Sequence, residues 1–113
     1  MKRNKLFKNY SYDFDKNERK LLTTFCNQAI KQMQTDSRFF ADVKAFQSII
    51  SKLNNGLEEV KMTKDERTRL VLQLKENVKF INGKMEKSWF IKKWLYKSMH
   101  NQYSNLLTNY FEE

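Results

Sequence analysis

The sequence predicts an all-α fold: an antiparallel, up-down-up-down four-helix bundle with a long C-terminal helix. Three observations carry that prediction. The 113 residues include no proline and only two glycines. Sheet-rich folds need many sharp turns, and turns are built from Gly, Pro, Asn and Asp. Apolar residues recur at three- and four-residue steps over most of the chain, the spacing of one helix face. The length suits a single domain with one real core. The expected organisation is a basic N-terminal arm over 1–14 and a single helical-bundle domain over 15–113.

In the arm, Lys2, Arg3, Lys5 and Lys8 stand among Leu6, Phe7, Tyr10, Tyr12 and Phe14. Neither a helical nor a strand period dominates. The segment reads as a loose basic arm, or as a tail whose aromatics tuck against the bundle.

Helix one is expected over 15–34. Asp15 and Glu18 have the spacing of a capping box, and Leu22, Phe25, Cys26, Ala29 and Met33 share one face. Helix two is expected to start at Asp36 or Ser37, either of which can cap it. Its apolar face reads Phe39, Phe40, Val43, Phe46, Ile50 and Leu53. Asn54-Asn55-Gly56 ends it, with Gly56 suited to the left-handed position after a helix. Thr35-Asp36-Ser37 is a weak break, so a three-helix variant joins helices one and two. Residues 57–62, with Glu58 and Glu59, read as a connection.

Helix three has the clearest start. Thr63 and Glu66 form a capping box, and Leu70, Val71, Leu74, Val78 and Ile81 follow at helical spacing. Asn82-Gly83 is expected to turn the corner into helix four, over 84–111. There the apolar pattern changes face. Phe90, Ile91, Trp94 and Leu95 cluster on one side, while Met99, Tyr103, Leu106 and Tyr110 lie on a side rotated by roughly 130°, taking about 100° per residue. Either the helix bends near Lys97-Ser98, or its first half offers apolar surface away from the core.

Composition narrows function by exclusion. Cys26 is the lone cysteine and His100 the lone histidine. That precludes an internal disulfide and leaves too few ligands for an ordinary zinc site. The N-terminus lacks the apolar run of a signal peptide, and no stretch approaches a membrane span, so the expected location is cytoplasmic. No Gly-rich phosphate loop, His–acid pair or nucleophile elbow is present. Glu58-Glu59 and Asp65-Glu66 are sequence neighbours, which do not face each other on a helix. The expectation is therefore a protein that is not an enzyme and takes no cofactor and no metal.

The formal charge is +9, from 22 Lys and Arg against 13 Asp and Glu. Such an excess draws anionic partners. It also fits a merely solvated surface, because Lys and Asn are both abundant. The most unusual segment is 84–100, which holds both tryptophans of the chain and five lysines. The candidate partner-binding patch is Lys87, Phe90, Lys93, Trp94 and Lys97, with Lys2, Arg3, Lys5 and Lys8 as support. Aromatic area beside lysine charge is a common make-up for a binding surface. In the competing arrangement the aromatics pack inward and the lysines only solvate the outside.

The expected partner is an acidic protein surface. A nucleic-acid backbone is the alternative, met by lysines while bases stack on the rings. An anionic membrane surface would take the aromatics at headgroup depth, and a homodimer would bury the apolar half of helix four. In size, basic charge and predicted bundle shape the chain also resembles bacteriocin immunity proteins, small basic cytosolic helical bundles. That resemblance is one of architecture, carried by no motif, and it implies a protective binding role.

Overall fold

A computed structural model describes residues 9–86 and 90–111, and the side chains of 10–83 and 97–111. The elements are β1 (Asn9–Tyr12), α1 (Lys16–Met33), a 3₁₀ turn (Ser37–Phe39), α2 (Phe40–Leu53), β2 (Val60–Thr63), α3 (Lys64–Glu86), α4 (Phe90–Leu106) and a terminal π turn (Leu107–Phe111). The protein is mostly helical, as expected. The difference is a small two-stranded antiparallel sheet. The chain divides into two compact units, 1–70 and 71–113, with the division inside α3.

In the first unit, α1 and α2 form a helical hairpin. Asp15 caps α1 as its spacing predicts. Its carboxylate accepts from the Glu18 amide at 2.8 Å, and Glu18 accepts from the Asp15 amide at 2.9 Å. The buried face of α1 is Leu22, Phe25, Cys26, Ala29 and Met33, the whole predicted stripe. Asp36 separates the two helices by capping the 3₁₀ turn, so α1 and α2 are not one helix.

The predicted face of α2 needs correction. Its buried residues are Ala45, Phe46, Ile49 and Leu53. Val43 and Ile50 are half-buried, and Phe40 is 67% exposed. At about 100° per residue, Phe40 lies roughly 165° from the midline of Ala45, Phe46, Ile49 and Leu53, so its ring faces outward. Gly56 takes the left-handed conformation expected after α2, at φ 83°.

The strands join the two ends of this hairpin. Tyr10 pairs with Met62 and Tyr12 with Val60. Tyr12, Val60 and Met62 are buried, whereas Lys61 and Thr63 are exposed, the alternation of a half-buried ribbon. Residues 9–12 of the expected arm and 60–63 around the expected connection are thus strands. Tyr12 stacks on Phe14 with ring centroids 5.3 Å apart. Arg67 donates from Nε to the Tyr12 hydroxyl at 3.1 Å and lies over the Tyr10 ring at 5.0 Å.

α3 begins with the predicted capping box. The Glu66 amide donates to Thr63 Oγ1 at 3.1 Å, and the Thr63 amide donates to Glu66 Oε1 at 2.9 Å. The helix does not stop at Asn82-Gly83 but continues to Glu86. Gly83 is an ordinary helical residue here, so the predicted corner is not at that pair. In the second unit, Val71, Leu74 and Ile81 of α3 are buried, as are Tyr103 and Leu106 of α4 and Phe111. α4 runs through Lys97 and Ser98 without interruption.

Candidate interaction surface

Of the predicted patch, Phe90, Lys93, Trp94 and Lys97 belong to α4. Their spacing of three, four and seven residues places the four positions along one side of that helix. Lys97 is exposed. The buried residues Tyr103 and Leu106 define the covered side of α4. At about 100° per residue, positions 90, 93, 94 and 97 fall roughly 110–170° from the midline of Tyr103 and Leu106. Lys87 lies outside the described residues, as do Lys2, Arg3, Lys5 and Lys8 of the supporting arm.

A second basic and aromatic cluster, missed in the sequence, lies at the start of α2. Lys44 Nζ lies 5.7 Å from the Phe40 ring centroid, and the Arg38 guanidinium lies 5.8 Å from that of Phe39. The available signal was the helical wheel, on which Phe40 lies roughly 165° from the midline of Ala45, Phe46, Ile49 and Leu53 at about 100° per residue. The charges around it are largely closed among themselves. Asp36 takes Arg38 in a two-pronged pair at 2.7 and 3.1 Å, and those hydrogen bonds hold its carboxyl below the usual value. Arg69 bridges Asp42 at 2.9 Å and Asp65 at 3.0 Å.

The groups with reactive potential in the first unit are occupied structurally. Burial pushes the Cys26 thiol up to about 12, which leaves it protonated and a poor nucleophile. Glu66 is 7% exposed. Its carboxylate accepts from Lys52 at 2.7 Å, from Ser48 at 2.6 Å and from the Thr63 amide. Burial alone would raise its pKa. The hydrogen bonds from Lys52, Ser48 and Thr63, with the Lys52 charge, outweigh burial and hold it below the usual value. Glu66 therefore pins α2 to the start of α3 as a carboxylate. His100 is half-buried on α4. Among the described residues, no three His, Cys, Asp or Glu side chains gather closely enough to hold a metal ion.

Arg19 was not singled out by sequence, yet it closes the open end of the helical hairpin. It donates to the carbonyls of Phe14 at 3.2 Å, Leu53 at 3.0 Å and Leu57 at 2.8 Å, and also to that of Glu58. The loop it holds carries Leu57, Glu58 and Glu59 outward between two shallow hollows. These hollows are lined by charges of both signs and by Leu57. Among the described residues no helix is long and apolar enough to cross a membrane.

The chain matches no family model, no characterised protein and no solved structure in the three comparisons made.

Proposed function

We propose that this is a non-enzymatic binding protein that docks an acidic partner protein through the basic and aromatic side of α4. The observation that supports this reading is the placement of Phe90, Lys93, Trp94 and Lys97. They share one side of an unbroken helix, roughly opposite the buried Tyr103 and Leu106 at about 100° per residue. With the side of Tyr103 and Leu106 as the covered one, apolar positions far from it would offer area for a partner to cover. Lysines at the rim would steer an acidic surface, while the aromatics supply the contact area. The net charge of +9 favours the same class of partner.

The test is affinity capture with the tagged full chain, cross-linking, and identification of the captured protein and its cross-linked face. Trp94→Ala and the double change Lys93→Glu/Lys97→Glu are compared with wild type. A tryptophan anchor is worth at least about 2 kcal/mol, or roughly thirtyfold in Kd. The expected result is an acidic cross-linked face and that loss of affinity, with an unchanged helical circular dichroism spectrum. Undiminished capture by both variants would overturn the proposal.

Labelled duplex and single-stranded DNA, titrated at two salt concentrations and followed by anisotropy, separate the alternative. Tight binding that weakens steeply with salt and is lost in Lys93→Glu/Lys97→Glu would replace the acidic protein with a nucleic-acid backbone. Co-sedimentation with anionic but not neutral vesicles would point instead to a membrane surface.

A further inference from the structure

We draw no further inference here: the strongest candidate, the surface patch at the start of α2 formed by the exposed Phe40 and the half-buried Phe39 with Lys44 and Arg38 against their rings, sits among charges of both signs that name no partner, and nothing in the structure shows what covers it.

Discussion

Replacing Arg19 tests whether one side chain closes the first unit. Its guanidinium gathers four carbonyls from three places: the end of the β1 segment, the last turn of α2 and the loop before β2. The bonds to Phe14 and Leu53 are partly buried, and those to Leu57 and Glu58 are exposed. Hydrogen bonds from a charged donor contribute about 1.5–3 kcal/mol when buried and less where water competes. Taking about 1–1.5 kcal/mol for each partly buried bond and a few tenths for each exposed one, Arg19→Ala is expected to cost about 2–4 kcal/mol. Arg19→Lys is the sharper variant. Lysine keeps the charge and most of the stem, but one ammonium does not span carbonyls arranged around a planar fork. It is expected to lose at least half of the same stability, about 1–2 kcal/mol or more. Urea denaturation, followed by circular dichroism, reads this as a lower midpoint with an unchanged slope. A lysine variant within about 0.5 kcal/mol of wild type would mean that charge, not the fork, does the holding.

Three further outcomes are expected. Glu66 has a folded pKa below its ordinary value of 4.5, so its contribution is complete above that value and lost as pH falls through the folded pKa. Urea midpoints should therefore drop below about pH 4.5, and Glu66→Gln should flatten part of that drop; an identical acid limb in the variant would refute the assignment. The two glycines should respond with opposite signs. Neither has an atom within 4 Å of an added Cβ, but Gly56 has φ 83° and Gly83 is helical. Gly56→Ala should cost about 1 kcal/mol and Gly83→Ala should gain about 0.5–1 kcal/mol, whereas a real corner at Asn82-Gly83 would make the second change destabilising too. Cys26 should resist a thiol reagent at pH 8 until urea unfolds the chain, because it is both buried and protonated; fast labelling of the native protein would contradict its place in the core.

What could be read in the sequence was whatever a single helix decides for itself. The α1 stripe and both capping boxes rest on residues three or four apart, and all three appear in the structure. The strands were harder. Tyr10-Ser11-Tyr12 and Val60-Lys61-Met62-Thr63 do alternate, but each strand has four residues, too few for a period to stand out. The strands are also joined through the whole α1–α2 hairpin, so the ribbon needs no tight turn of its own. Low glycine and proline therefore argued correctly against a large sheet and said nothing against this one. Gly83 misled for a related reason. Asn-Gly is a strong turn signal only when the flanking segments gain from turning, and α3 continues through the pair. The long-range bonds of Arg19 to Leu53, Leu57 and Glu58, and of Glu66 to Ser48 and Lys52, were invisible because those partners lie 14–39 positions away in the chain.

The α4 patch stands between these cases. The change of face along the helix was legible, and it left two explanations, a bend near Ser98 or an apolar side away from the core. On the α-helix from Phe90 to Leu106, positions 90, 93, 94 and 97 lie roughly 110–170° from the Tyr103 and Leu106 midline at about 100° per residue, whereas positions 91 and 95 lie roughly 90° and 50° from it. The burial of Tyr103 and Leu106 then fixes the reference against which the other positions are judged. Sequence alone lacked that reference, because nothing in it said that the side of Tyr103 and Leu106 was covered. The proposed role of Lys93, Trp94 and Lys97 follows from adding it. The paired changes at those positions are informative for the same reason: positions far from the covered side should alter binding while leaving the stability read by urea denaturation within about 0.5 kcal/mol of wild type. A large loss of stability in Trp94→Ala would instead assign the tryptophan to packing, and the lysines beside it to solvation.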